Sequence, residues 1–145
     1  MGKNLIQQKR GKGSPRYRAP SFRYKGKAGY HGLNSSEVTT ARILDIIHCQ
    51  GHSAPLIEIK YENGNTGLLQ AAEGMKAGDT IEIGSSSSPA KSGTILHLKD
   101  IPEGASVFNI ESNPGDGGKF VRCSGVFAKI VTRTDEGIVV LLPSR

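Results

Sequence analysis

Tryptophan is absent from this 145-residue chain, cysteine occurs twice, and aromatic residues make up only 6% of it. Any core such a sequence builds is small and aliphatic. Cys49 and Cys123 form no CxxC pair and are too few for a disulfide framework, so a reducing, cytoplasmic setting is expected. The longest apolar run, Ile138 to Leu142, is far shorter than the roughly 18 residues of a membrane-spanning helix. Leu5 and Ile6 give way at once to polar and basic residues, and no secretory leader is expected.

A second absence is local. The first 36 residues contain no acid, yet hold Lys3, Lys9, Arg10, Lys12, Arg16, Arg18, Arg23, Lys25 and Lys27. The remaining ten basic residues share residues 37–145 with all 13 acids, so the whole excess behind the net charge of +6 sits in an N-terminal arm on a slightly acidic body. Gly11, Gly13, Pro15 and Pro20 prevent a lasting helical or strand period, which excludes an amphipathic membrane-surface helix. The arm cannot by itself bury enough apolar surface to offset its ordering entropy. It nevertheless carries Tyr17, Phe22, Tyr24 and Tyr30, half of the chain's aromatics. Cations neutralise phosphates, while aromatic faces and guanidinium planes stack on unpaired bases. Such an arm is expected to order on nucleic acid, and on RNA in preference to DNA, because no recognition helix can be found.

Glycine, at 19 of 145 residues, is nearly twice as frequent as the roughly 7% usual in soluble proteins. Beyond Glu37 short apolar runs alternate with turn residues, which predicts an all-β body of two small barrels. Strands are expected at Thr39 to His48, with a bulge where alternation slips between Ile43 and Ile47, and at Leu56 to Tyr61, Thr66 to Gln70 and Thr80 to Ile83. Asn63-Gly64 marks a hairpin, and residues 71–79 read as a short helical turn or loop. After a serine-rich stretch the pattern predicts strands at Thr94 to Leu98, Ala105 to Glu111, Val126 to Thr132 and Gly137 to Leu142. The organisation expected is an arm (1–36), a first barrel (37–84), a linker (85–92) and a second barrel unit (93–145). Each half is of a size at which one core is marginal, so the isolated chain is expected to be poorly stable.

Three constellations invite chemistry. NPGDGGKF, Asn113 to Phe120, is a glycine loop ending in lysine, but a Walker loop needs glycine where Asn113 stands and Ser or Thr where Phe120 stands. Nucleotide hydrolysis is therefore excluded. A weaker expectation survives: the backbone N–H groups around Gly115, Gly117 and Gly118 converge on a phosphate, with Lys119 and Arg122 adding charge, against a plain hairpin loop. His48, Cys49 and His52 cluster, yet a closed zinc site needs a fourth ligand, and no spacing recommends Cys123, His31 or His97. No metal or cofactor is expected. Ser85 to Ser88 lacks a GxSxG elbow and the acids are scattered, so neither catalysis nor a small-molecule substrate is expected.

QQKRGKGSPRYRAPSFRYKGKAGY (Gln7 to Tyr30), HSAPLIEI (His52 to Ile59), AAEGM (Ala71 to Met75), IPEG (Ile101 to Gly104) and NIESNPGDGGKF (Asn109 to Phe120) occur in an order that covers essentially the whole chain. Ser124-Gly125 and the LPS of Leu142 to Ser144 continue it. This series resembles the family of the universal second protein of the large ribosomal subunit, in its archaeal and eukaryotic form. The resemblance implies an OB-fold followed by an SH3-like barrel, flanked by extensions that thread into large-subunit rRNA. It implies a structural rRNA binder that supports assembly and subunit association near the peptidyl transferase region, with rRNA and other large-subunit proteins as partners. Carried onto this chain, the threading residues are Lys9, Arg10, Lys12, Arg16, Tyr17, Arg18, Arg23, Tyr24, Lys25 and Lys27, and the second-barrel loop is Gly115, Gly117, Gly118, Lys119 and Arg122. The sequence departs from the family at Cys49-Gln50 and His52, where Asp-Pro and a basic residue are common. It also stops at Arg145, where the family continues, so the chain is expected to be a fragment with only part of the second barrel. The rival expectation is a free-standing single-strand RNA-binding translation factor built from the same barrel types.

Overall fold

The structure, a computed structural model, describes residues 2, 5, 7, 10, 12–30, 38–84, 91–135 and 137–144. Among the described residues seven strands and three single 3₁₀ turns are the named elements, an all-β architecture. The strands are β1 (Thr39–Ile47), β2 (Leu56–Tyr61), β3 (Thr66–Gln70), β4 (Thr80–Ile83), β5 (Ser106–Val107), β6 (Ala128–Thr134) and β7 (Gly137–Leu141). The first four form an antiparallel sheet in the order β3-β2-β1-β4. That order is a Greek key, the arrangement on which OB-type barrels are built.

Alternation decides which side chains are enclosed. On β2 Ile57, Ile59 and Tyr61 are buried while Lys60 faces solvent. On β1 Ala41 and Ile43 point inward until Leu44, the extra residue between the Ile43–Ile59 and Asp45–Glu58 pairs, which makes the expected bulge. The chain entering β4 locks onto that point: Ile43 N–H donates to Asp79 (2.8 Å), and Gly78 N–H donates to the Ile43 carbonyl (2.9 Å). Ile81, Ile83 and Leu69 complete the core, with Tyr30, Met75 and Ile95 packed against it. Between β2 and β3 the Asn63 side-chain oxygen accepts the Asn65 N–H (3.0 Å), and Gly64 takes the positive φ that the turn requires.

The second sheet is smaller, ordered β5-β6-β7 and also antiparallel. Three expected strands differ here. Thr94 to Leu98 reduces to a single parallel bridge between Ile95 and Ile83, because Leu98–Asp100 closes into a 3₁₀ turn. Ala105 to Glu111 is cut to two ladder residues, since Asn109 adopts a left-handed φ of 51° that ends extended pairing; Ile110 then bridges Phe120 alone. β6 starts at Ala128, two residues later than expected, after the Ser124-Gly125 turn. The serine run lies outside the described residues.

Candidate nucleic-acid interface

The arm has two different halves. The described cations of its outer part are exposed: Arg10, Lys12, Arg16, Arg18 and Arg23 all face solvent. Pro15–Tyr17 and Ser21–Arg23 each form one 3₁₀ turn, and the residues that follow return to extended backbone. The Arg10 guanidinium lies over the Tyr17 ring at 5.2 Å, and that of Arg23 over Phe22 at 5.3 Å. Such pairs place a cation against an aromatic face. Lys9 lies outside the described residues.

The inner part, from Tyr24 to Tyr30, is joined to the body. The Tyr24 ring covers Gly51, where an added Cβ would stand 3.1 Å from it. Lys25 N–H donates to Cys49 Sγ (3.4 Å), and the His52 ring nitrogen Nδ1 lies 3.3 Å from the same sulfur. These contacts draw the Cys49 thiol down to about 7, the Lys25 amide most and His52 next, against the opposing effect of burial. Ala28 is enclosed with Cys49 and Leu56, and Gly29 N–H donates to the Leu68 carbonyl (3.0 Å). The side chains of Lys25 and Lys27 remain exposed on this docked segment.

Tyr30 carries the arm across to the second unit. Its hydroxyl donates to the Asn109 carbonyl (2.7 Å) and accepts from Asn109 Nδ2 (2.8 Å). Burial pushes the Tyr30 hydroxyl up to about 12, against the lowering effect of its bond to Asn109. Next to this pair the backbones of Gly29 and Gly117 touch: a Cβ on Gly117 would stand 3.1 Å from the Gly29 Cα. A Cβ on Gly118 would overlap the Asn109 carboxamide, and φ of +92° at Gly118 disfavours any side chain. Gln70 Nε2 adds a bond from the end of β3 to the Arg122 carbonyl (3.1 Å). The arm root and the glycine loop, read separately from the sequence, are therefore one continuous surface.

The chemistry of that loop differs from the expectation. Glu111 accepts the N–H groups of Gly115 (3.0 Å) and Gly117 (2.9 Å), and Asp116 accepts those of Ser112, Asn113 and Gly118 at 3.0–3.1 Å. Those amides, Asn113 first, hold the Asp116 carboxyl below its ordinary range, with Lys119 assisting. The amides of Gly115, Gly117 and Gly118 thus donate to the chain's own carboxylates, where the sequence led to the expectation of an outside phosphate. What the loop turns outward is the exposed Lys119; Arg122 is half-buried, and its Nε is buried with no partner among the described residues. The acids inside NPGDGG and just before it were the available signal, since a carboxylate two to six residues away can satisfy a loop internally. Tyr30, Asn109 and Cys49, which fix the arm, carried no comparable signal because their partners are distant in sequence. Among the described residues no three His, Cys, Asp or Glu side chains gather as a metal site, and no helix is long and apolar enough to cross a membrane.

Comparison with known proteins bears on the same surface. Residues 91–145 match the family described as Ribosomal Proteins L2, C-terminal domain. Over 99% of its length the chain is 46% identical to the large ribosomal subunit protein uL2 of Methanosphaera stadtmanae, covering 61% of that protein. It is 48% identical to the uL2 of Methanocaldococcus jannaschii and 46% to that of Halorubrum lacusprofundi, covering 60% of each. The chain thus spans about three fifths of the length of the curated relatives it matches.

Proposed function

We propose that this chain is a member of the L2 family of large-ribosomal-subunit proteins, in its archaeal form, and so a structural, non-catalytic rRNA-binding component of the large subunit. The reading extends to support of subunit assembly and association near the peptidyl transferase region, in the cytoplasm, alongside other large-subunit proteins. One observation carries it: a run of exposed arm cations with no acid among them, whose root is bolted to a folded body at Tyr24, Lys25, Gly29 and Tyr30. A free tail would pay its full ordering entropy on binding; a tail with a fixed root pays less and enters RNA from a defined direction. In this reading Arg10, Lys12, Arg16, Arg18 and Arg23 neutralise backbone phosphates, as do Lys9, Lys25, Lys27, Lys119 and Arg122. Tyr17 supplies a stacking face, Tyr24 positions the arm, and Gly115, Gly117 and Gly118 shape the loop. The two sheets serve as an OB-type unit (37–84) and an SH3-like unit (93–145) joined by residues 85–92.

The test is binding to large-subunit rRNA across a salt series, with tRNA as competitor. Replacing Arg10, Lys12, Arg16 and Arg18 together by serine removes four exposed cations of the arm. Each lost phosphate contact lowers the slope of log K against log salt by about 0.7–0.9, so the slope should fall by about 3 and tight binding should be lost. Unchanged affinity and slope would refute an arm-based reading. Displacement of the unaltered chain by tRNA at equal concentration would favour the generic single-strand RNA binder instead.

A further inference from the structure

Phe22 is the most exposed large apolar side chain described, with 82% of its surface open to solvent. Its neighbours have explanations within the fold: Tyr24 covers Gly51, and Tyr30 bonds Asn109. Among the described residues the ring contact of Phe22 is with its own neighbour, the Arg23 guanidinium at 5.3 Å. It is also not loosely held. Arg23 N–H donates to the Pro20 carbonyl (2.9 Å) and Tyr24 N–H to that of Ser21 (3.1 Å), which closes the turn that presents the ring. Tyr24 and Lys25 then fix the backbone to Gly51 and Cys49 within three residues of it. An aromatic face held open at a fixed point is a preorganised surface awaiting a flat partner.

We infer that Phe22, with Arg23 behind it, is a stacking platform for an unpaired RNA base at the point where the arm leaves the body. The inference rests on the rRNA-binding reading and adds to it a site and a class of RNA: single-stranded or bulged nucleotides, not continuous duplex, whose bases are already stacked. The alternative occupant of an exposed ring is an apolar pocket on a neighbouring protein. Insertion there would strip water from Arg23 and leave it, with the exposed Arg18 and Lys25 close to it in sequence, without anions to meet them. A nucleotide supplies both the flat face and the phosphate that those cations require.

The absence of tryptophan makes a direct test possible, since Phe22→Trp introduces a single indole reporter into the 145-residue chain. With large-subunit rRNA, its fluorescence should be quenched at saturation and its affinity preserved. Phe22→Ala should lower affinity on the order of tenfold while leaving the salt slope unchanged, because stacking releases no counterions. A fully paired RNA duplex should give no quenching. If the unaltered chain fails to bind rRNA, the function proposed above falls. If it binds but Phe22→Ala binds equally well and the Phe22→Trp signal does not move, the platform falls and the function stands. A signal that shifts only on adding other large-subunit proteins assigns Phe22 to a protein pocket and overturns the inference.

Discussion

In the first sheet Ile43, Ile57 and Ile59 are fully enclosed, whereas in the second only Ala128 and Ile130 among strand residues reach that state, and Val131, Val139 and Leu141 stay about half exposed. Both sheets are antiparallel, both carry a bulge, and both use β-branched residues in alternation. The difference lies in what covers the face. Tyr30 from the arm and Ile95 from beyond the serine run lie against the first core, so sequence-distant segments close it. The second sheet is tied down at its edges by polar contacts: Arg133 N–H to Glu103 (2.9 Å), Gly104 N–H to the Ile130 carbonyl (2.8 Å), and the arm-to-loop bond at Tyr30. The first unit is held mainly by apolar enclosure, the second by hydrogen-bonded loops. The arm belongs to both, since one tyrosine packs its ring on the first core and gives its hydroxyl to the second unit.

The contrast breaks if large-to-small changes cost the same in both sheets. Ile59→Ala empties a fully buried site and should cost about 2–5 kcal/mol. Val139→Ala, at 48% exposure, should cost less than about 1 kcal/mol. Urea unfolding of both variants reads the difference, and equal losses would mean that the β7 face is covered in solution. A finer version applies to the glycine loop that lies against the arm root. Gly115 and Gly118 both have positive φ, but a Cβ on Gly115 meets open space and one on Gly118 meets Asn109. Gly115→Ala should cost about 1 kcal/mol for the strained backbone alone. Gly118→Ala should cost at least about 2–3 kcal/mol, because the side chain that receives Tyr30 must move. Loss of the arm contact in the second variant alone, read as faster hydrogen exchange at Gly29, would separate overlap from strain.

Local chemistry made most of the first sheet legible. Alternation at Ile57, Ile59 and Tyr61, the Asn63-Gly64 turn and the slip after Ile43 each act over a few residues, and the strands stand where those signals put them. The second sheet was less legible because its interruptions are not written in alternation. Asn109 turns left-handed where its side chain can meet Tyr30, 79 residues away, and no local pattern announces that. The candidate site divides in the same way. Charge and aromatic spacing pointed to the outer arm, since its described cations stay exposed. The docked root and the self-satisfied glycine loop stayed hidden, since each depends on which groups are already paired.

The smallest effect expected concerns the pin between the arm root and β1. Cys49 has its thiol lowered from an ordinary 9.0 to about 7 in the folded protein, chiefly by the Lys25 N–H and the His52 ring. The folded state therefore binds fewer protons at this sulfur than the unfolded chain between those values, and stability rises with pH across that window. The contribution is fully present above pH 9 and fades as pH falls through about 7. Cys49→Ser keeps a hydrogen-bond acceptor of similar size but does not titrate there. The gap in melting temperature between the natural chain and this variant should accordingly widen from pH 6.5 to pH 9. Tyr30 sets the upper limit of the range, since its pKa near 12 in the fold makes stability fall once free tyrosine begins to ionise above pH 10. A pH-independent gap would show that the sulfur holds the arm as a neutral thiol. The root would then rest on Tyr24, Ala28 and the Gly29–Leu68 bond, and the outer arm would keep its direction at any pH the cell presents.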